Sequence, residues 1–142
     1  MSKKSAMGAC NSFTTRQASR YITRLYDRHL SAAHVTNTQF GILVLLGETP
    51  GMTMSELANA MVMDRTSLVR AIKPMERDGW LTTERAAHET RKLVLSLTEV
   101  GHNKVREALP LWQTAQQEFE AQVGSEKAAQ WRHDFLELTR SA

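Results

Sequence analysis

Hydrophobic residues recur at intervals of three and four positions along most of the chain, and this spacing predicts a mainly helical protein. A first long helix is predicted from Ser12 or Thr14, either of which can cap it, to about Ala33. Two more helices follow Thr98, with a break between them at Gly124. Between these outer helices the predicted elements are shorter, and the periodicity then changes.

Three shorter helices are predicted in the middle of the chain. Each follows a Thr or Asp side chain that can accept a backbone N–H and so cap the helix. In the first two, a Gln or Glu three residues later completes a capping-box pattern. The three caps are Thr36 before a helix at about 40–47, Thr53 before a helix that ends at Met61, and Asp64 before a helix ended by Gly79.

After Trp80 the sequence changes to two segments rich in residues that favour β-strands. These segments, residues 81–85 and 92–97, are separated by a short polar stretch at 86–90 that suits the tip of a hairpin. Residues 53–97 are therefore predicted to form a helix, a turn, a second helix and a two-stranded hairpin. This order is typical of a winged helix-turn-helix.

The helix that begins at Arg65 is predicted to have two opposed faces. Leu68, Ile72 and Met75 share an apolar face that suits burial. An Arg side chain can donate two hydrogen bonds to guanine and a hydroxyl can contact bases or phosphates, so the polar face suits a DNA major groove. A solvated amphipathic helix is the alternative. The polar face and its flanks consist of Arg65, Thr66, Ser67, Arg70, Lys73 and Arg77.

Residues 63–81 resemble the recognition helix, and the exit from it, of the MarR family of transcriptional regulators. Residues 89–101 resemble that family's wing, followed by its Leu-Thr-x-x-Gly helix start, which here is Leu97, Thr98 and Gly101. The similarity extends over nearly the whole chain. One position departs from the pattern, because the family usually has Asp two residues before the wing Arg and this chain has Glu89. Glu89 is expected to pair with a neighbouring Arg.

The resemblance implies a mainly α fold with a small β-hairpin wing, in which a winged helix-turn-helix DNA-binding lobe is joined to a helical dimerisation region. It implies one domain over residues 1–142, with dimerisation helices in 12–35 and 99–142 and the DNA-binding lobe in 36–98. It also implies that Arg91 reaches the minor groove, where a narrow A·T-rich groove attracts a guanidinium, and that Arg85 and Lys92 flank it on phosphates. The expected DNA contacts are then Arg65, Thr66, Ser67, Arg70, Lys73, Arg77, Arg85, Arg91 and Lys92.

The last two helices carry more large apolar side chains than a small lobe needs at its end. A homodimer interface, which the resemblance also implies, explains them, and packing onto the lobe is the alternative. A two-fold homodimer would read a pseudo-palindromic operator in double-stranded DNA, with half-sites about one helical turn apart. The residues concerned are Trp112, Phe119, Trp131, Phe135 and Leu138.

Four arginines recur at every fourth position of the first helix, although like charges at this spacing repel. A solvated face, contacts with acidic groups of a partner subunit and an anion-binding surface are three explanations. In MarR-like proteins the effector crevice lies between the dimer helices and the DNA-binding lobe, and many effectors are aromatic acids. The resemblance thus suggests a small anionic aromatic effector bound by Arg20, Arg24, Tyr21, Tyr26 and Trp112. The four arginines are Arg16, Arg20, Arg24 and Arg28.

Cys10, the single cysteine, lies just ahead of the first helix. Its position resembles that of the N-terminal cysteine in the peroxide-sensing branch of the family. A thiol near a helix N-terminus and basic side chains is readily oxidised. An unreactive thiol on a loose arm is the alternative.

Composition and spacing narrow the classes of function. The longest apolar run, residues 40–46, is far shorter than the roughly 20 residues that span a bilayer. No apolar signal segment follows the first residues, and a single cysteine suggests a reducing compartment, so we expect a cytoplasmic protein without membrane contact. The five histidines lack metal-ligand spacing, and neither a phosphate loop nor a nucleophile elbow is present. We therefore expect no metal, no cofactor and no catalysis.

Taken together, these patterns predict a sequence-specific DNA-binding transcriptional regulator, a repressor that a small effector releases. One alternative is a thiol-based sensor of oxidative stress in the same family that uses Cys10. Another is a winged-helix module that binds proteins and has lost DNA binding. The basic face of the helix that begins at Arg65 argues against this last alternative, because such a module does not need it.

Overall fold

The computed structural model describes residues 5–89 and 91–140, and in this part of the chain it forms six α-helices and a small three-stranded antiparallel sheet. The predicted mainly α fold with a hairpin wing is confirmed. Short 3-10 helices at Ala6–Ala9 and Ser31–Ala33 flank the first α-helix. The α-helices are α1 (Asn11–Leu30), α2 (Asn37–Glu48), α3 (Met54–Met61), α4 (Arg65–Arg77), α5 (Glu99–Val123) and α6 (Ser125–Arg140), and the strands are β1 (Met52–Thr53), β2 (Leu81–Arg85) and β3 (Leu93–Leu97).

The start of α1 differs from the prediction. Its cap is Cys10, whose Sγ accepts the Phe13 N–H at 3.4 Å. Ser12 and Thr14 lie inside the first turn of the helix and so cannot cap it, and the Thr14 hydroxyl donates back to the Cys10 carbonyl at 2.9 Å. The helix also ends at Leu30, since the next three residues tighten into a 3-10 turn.

The predicted capping box at the start of α2 is confirmed. The Gln39 N–H donates to the Thr36 hydroxyl at 3.1 Å, and the Thr36 N–H donates to Gln39 Oε1 at 3.0 Å. This reciprocal pair orders the first turn, so α2 begins at Asn37, ahead of the predicted residue 40.

The helix-turn-helix consists of α3, a three-residue turn at 62–64 and α4. The Thr53 hydroxyl caps α3 by accepting the Glu56 N–H at 3.1 Å. After α3 the backbone of Val62 adopts a left-handed conformation with φ of 52°, which turns the chain into α4. The buried face of α4 is the predicted one, because Leu68, Ile72 and Met75 are almost fully buried: Leu68 0%, Ile72 2% and Met75 0% exposed.

The sheet has the order β1-β3-β2, with both pairings antiparallel. The predicted hairpin of β2 and β3 pairs Leu81 with Leu97 at its base and Arg85 with Leu93 toward the tip. Thr90, which belongs to the predicted tip, lies outside the described residues. Strand β1 was not predicted, because two residues are too few to show a period. It joins the segment ahead of α3 to the wing.

Helices α1 and α5 pack side by side. The inner face of α1 is buried and consists of Leu25, Tyr26 and Leu30. The Tyr26 hydroxyl hydrogen-bonds to Gln116 of α5. Helix α6 follows α5 and leaves Phe135 54% exposed, with Trp131, Leu136 and Leu138 exposed as well. No helix in residues 5–89 and 91–140 is both long and apolar enough to cross a membrane.

The first turn of α5 lies directly against the segment that leaves α4. Thr98 caps α5 by accepting the Gly101 N–H at 3.1 Å. A Cβ atom at Gly101 would lie only 2.0 Å from the Trp80 carbonyl oxygen, which is closer than any real contact. The glycine of the Leu-Thr-x-x-Gly motif is therefore required by this close approach of two backbone segments.

Substituting Gly101→Ala should lower the free energy of unfolding by about 3 kcal/mol, because backbone atoms must move apart to admit the methyl group. Gly41→Ala is the matched control, since the nearest side-chain atom, on Met61, is 3.7 Å away. In the interior of α2 an alanine should instead stabilise the protein by about 0.5–1 kcal/mol. Urea denaturation measures both values, and similar effects at the two positions would contradict the close approach.

Candidate functional site

The polar face of α4 is open to solvent along its length. Arg65, Thr66, Arg70, Lys73 and Arg77 are all exposed, and the apolar face on the other side of the helix is buried. Arg77 makes only a loose ion pair, with its Nε 3.7 Å from Asp78 Oδ1. These side chains are thus presented together on one helix, as a surface that reads a groove requires.

The N-terminus of α4 is capped by Asp64, as predicted. Its carboxylate accepts the Ser67 hydroxyl at 2.7 Å and the Ser67 N–H at 2.9 Å. The hydrogen bond from the Ser67 hydroxyl, followed by that from its backbone, holds the pKa of Asp64 below its usual value. Ser67 was predicted to contact DNA, but its hydroxyl proton is already donated to Asp64, so it can offer a phosphate no further donor while the cap is intact.

The wing is closed at its tip by an ion pair. Lys92 Nζ lies 2.9 Å from Glu89 Oε2, and the Lys92 N–H donates to the Glu89 carbonyl at 3.0 Å. The hydrogen bond to Glu89 raises the pKa of Lys92. Glu89 was expected to pair with an arginine, and this is corrected to Lys92. Both side chains are exposed, so the pair is weak and a phosphate can replace Glu89.

The structure brings the start of α4 and the wing together around one cleft. The cleft has a volume of about 240 Å³ and holds three cationic side chains, one carboxylate and the first turn of α3. Backbone N–H groups at a helix N-terminus and nearby cations both favour a phosphate. The cleft is lined by Thr53, Met54, Ser55, Glu56, Arg65, Arg91, Lys92 and Leu93.

The three cations of this cleft, Arg65, Arg91 and Lys92, were predicted from the sequence as DNA contacts. Ser55 and Glu56 were not predicted. The capping pattern at Thr53 was the available signal, because it places a helix N-terminus at this point. The N-terminus of α3 lies close to the wing because β1 pairs with β3, and this pairing was not predicted. Arg85, the last residue of β2, is exposed.

The residues predicted to bind an effector do not share one environment. Arg20, Arg24 and Tyr21 are exposed on α1. Tyr26 is only 8% exposed, and burial raises the pKa of its hydroxyl. Trp112 is half-buried, with its ring centroid 6.1 Å from that of Phe40. Tyr26 and Trp112 thus form part of the packing between helices in this conformation, and the effector site stays a prediction.

The arginine row of α1 is partly explained within the chain. Arg28 and His29 both contact Glu118 Oε2 of α5, at 2.8 and 2.9 Å. The hydrogen bond from His29, together with that from Arg28, lowers the pKa of Glu118. Arg28 therefore joins α1 to α5, although it is exposed, as are Arg16, Arg20 and Arg24.

Cys10 is half-buried, and its thiol serves as the cap of α1 described above. Its role in redox sensing stays a prediction. Among the described residues, no group of three or more His, Cys, Asp and Glu side chains is placed to hold a metal ion.

Comparison with known proteins gives a consistent set of relatives. A family model described as MarR family matches residues 35–92. The homoprotocatechuate degradative operon repressor of Escherichia coli is 32% identical over 127 residues, which cover 87% of this chain and 83% of that protein. The organic hydroperoxide resistance transcriptional regulator of Bacillus subtilis is 31% identical over 84 residues, which cover 59% of this chain and 57% of that protein.

Solved structures agree with this similarity. The crystal structure of the transcriptional regulator MosR of M. tuberculosis in complex with DNA superposes with a TM-score of 0.81 and 36% sequence identity. The match covers 93% of this chain and 95% of that one.

The lowered pKa of Asp64 predicts how the cap of α4 responds to pH. The stabilisation is fully present above the pKa of Asp64 in the unfolded chain and is lost as the pH falls through the lower pKa of the folded state. In Asp64→Asn the amide oxygen also caps the helix, but it does not titrate in this range. Wild type should therefore lose stability relative to Asp64→Asn as the pH falls below about 4. Urea denaturation of both proteins between pH 6 and 3 measures this, and a constant difference would contradict it.

Proposed function

Because this chain belongs to the MarR family of transcriptional regulators, we propose that it is a homodimeric repressor that binds a pseudo-palindromic operator in double-stranded DNA. The observation that carries the proposal is the exposed face of α4, where Thr66, Arg70, Lys73 and Arg77 lie opposite a fully buried apolar face. A helix with these two faces, followed by a wing, suits insertion into a major groove. The role is regulatory rather than catalytic.

The predicted contacts divide into two groups by position. Arg70 and Lys73 lie in the middle of α4, and we assign sequence discrimination to them because Arg and Lys side chains can donate to the guanine edge in the major groove. Arg65, Arg91 and Lys92 surround the cleft between α4 and the wing, and we assign them to the DNA backbone. In the bound state a phosphate would take the place of Glu89 beside Lys92.

Arg91 has two candidate roles that differ in their sequence dependence. The first is insertion into the minor groove, which predicts a preference for A·T-rich flanks. The second is contact with the phosphate that Arg65 also contacts, which predicts equal loss of binding on every sequence. Its position on the cleft beside Arg65 supports the second role. Measuring Arg91→Ala on operators with A·T-rich and G·C-rich flanks distinguishes the two.

The dimer is proposed to form through α1, α5 and α6. Exposed apolar side chains are concentrated on α6, and Phe13 at the start of α1 is 39% exposed. A second copy of the chain would cover this surface, as an isologous interface does. The DNA-binding lobe would then be residues 36–98, between the two dimerisation segments.

Selection of genomic fragments by the purified protein tests the function. Wild type should recover one pseudo-palindromic site, which also supports the dimer. Arg70→Ala should weaken binding to that site by about 1–3 kcal/mol and relax the preference at one position of each half-site. Arg16→Ala removes the same charge from the exposed face of α1 and should bind normally. No enrichment over random fragments at low salt, where phosphate contacts are strongest, would overturn the proposal.

Release from the operator is proposed to follow binding of a small aromatic acid beside Arg20 and Arg24. The E. coli relative is named as the repressor of an operon that degrades homoprotocatechuate, itself an aromatic acid. An effector of this kind must bind the released state more tightly than the DNA-bound state.

A panel of aromatic acids should therefore include one that releases labelled operator from wild type and not from Arg24→Ala. Arg16→Ala, in the same row, should respond like wild type. If no acid acts, and mild peroxide releases wild type but not Cys10→Ser, the thiol-based sensor replaces the ligand-released repressor.

A further inference from the structure

The segment that leaves the recognition helix is held rigidly to it. Gly79 adopts a φ of 77°, and its N–H donates to the Glu76 carbonyl at 2.9 Å. The Trp80 N–H donates to the Met75 carbonyl at 2.9 Å, and Trp80 is only 7% exposed. Two backbone hydrogen bonds therefore attach Gly79 and the buried Trp80 to the last turn of α4.

The same segment is bonded to the first turn of α5. The Thr98 hydroxyl donates to the Gly79 carbonyl at 2.5 Å, and the Thr98 N–H donates to the Trp80 carbonyl at 3.1 Å. The absence of a side chain at Gly101 allows this contact. The carbonyls of Gly79 and Trp80 thus both accept hydrogen bonds from Thr98, the cap of α5.

Lys104 lies one turn further along α5 and connects this contact to the end of α1. Its Nζ lies 5.4 Å from the centroid of the Trp80 ring and donates to the Ala33 carbonyl at 3.0 Å. It also pairs with Glu107 at 3.1 Å. Ala33 is fully buried at the end of the 3-10 turn that follows α1. One ammonium group therefore contacts the exit of α4 and the end of α1 from its position on α5.

A packing role alone does not explain a lysine at this position. Its side chain is only 17% exposed, and an ammonium group loses hydration when it is buried. The Ala33 carbonyl, the Glu107 carboxylate and the Trp80 ring each compensate part of that loss. Ala33 lies at the end of α1 and Trp80 at the exit of α4. The contacts of Lys104 with both therefore specify how these two segments are arranged against α5.

We propose that Lys104 is a positioning residue for DNA recognition, which sets the angle of α4 against α1 and α5 without touching DNA. The inference rests on the proposed homodimeric function. In such a dimer the angle of each recognition helix against the dimer helices decides which distance between half-sites both helices can reach. Half-sites are in register only when they are about one helical turn apart, so a looser joint tolerates other spacings.

The test compares Lys104→Met, which keeps much of the stem and removes the ammonium, with wild type on three operators. One operator has the native spacing, and the others have one base pair more or fewer between the half-sites. Wild type should prefer the native spacing by about tenfold. In Lys104→Met this preference should largely disappear while affinity for non-specific DNA is unchanged. Lys104→Arg, which keeps a cation and a donor, should restore it.

Arg106→Met is the matched control. Arg106 is exposed on α5, two residues after Lys104, and its guanidinium donates to Asn103 of the same helix, so the change removes a cation without a contact to α1 or to the exit of α4. It should keep the wild-type spacing preference. If thermal unfolding shows that Lys104→Met does not fold, Lys104→Gln keeps a donor for Ala33 and should give an intermediate preference.

The positioning role of Lys104 and the proposed repressor function can be overturned separately. Wild-type spacing preference in a folded Lys104→Met or Lys104→Gln overturns the positioning role and leaves the repressor function intact. If wild type binds no operator at any spacing, the proposed function is overturned and the role of Lys104 falls with it.

Discussion

The contact of Thr98 and Gly101 with the carbonyls of Gly79 and Trp80 is the constraint on which the rest of the structure depends. It closes the base of the wing, because the hairpin leaves at Trp80 and returns at Thr98. It also sets the first turn of α5 against the exit of the recognition helix. Because α5 then packs along α1, the same contact relates the recognition helix to the helices proposed to form the dimer. A side chain at position 101 would separate these two backbones.

Charged residues have different tasks on the two sides of this contact. On the side of α4 and the wing, acidic groups are used locally, Asp64 as a helix cap and Glu89 as the partner of Lys92. The arginines of α4 remain exposed, and of these Arg77 makes a loose ion pair with Asp78. On the side of α1 and α5, Arg28 and Lys104 are instead bonded within the chain. The net charge of +3 is therefore a poor guide to the surface proposed to bind DNA, and the distribution of the charges is the better one.

Features whose partners lie close along the chain could be predicted from the residues alone. The capping box of Thr36 and Gln39 and the cap at Asp64 join residues three positions apart, so their spacing is visible in the sequence. The buried face of α4 follows from helical periodicity, and β2 and β3 follow from two β-rich segments and a short polar connection. The predicted start of α1 was wrong, because hydroxyl groups are ordinarily preferred to a thiol as helix caps and the prediction therefore chose Ser12 or Thr14.

Features whose partners are far apart in the chain depend on how the elements pack and could not be predicted. Arg65 and Arg91 line one cleft because the wing folds back beside the start of α4. Lys104 contacts Ala33 and Trp80 because three separate elements meet at its position on α5. No spacing rule relates such residues, since the chain between them must fold before they are neighbours. Local patterns therefore predicted the exposed basic face of α4, and packing between distant segments decided how that face is held.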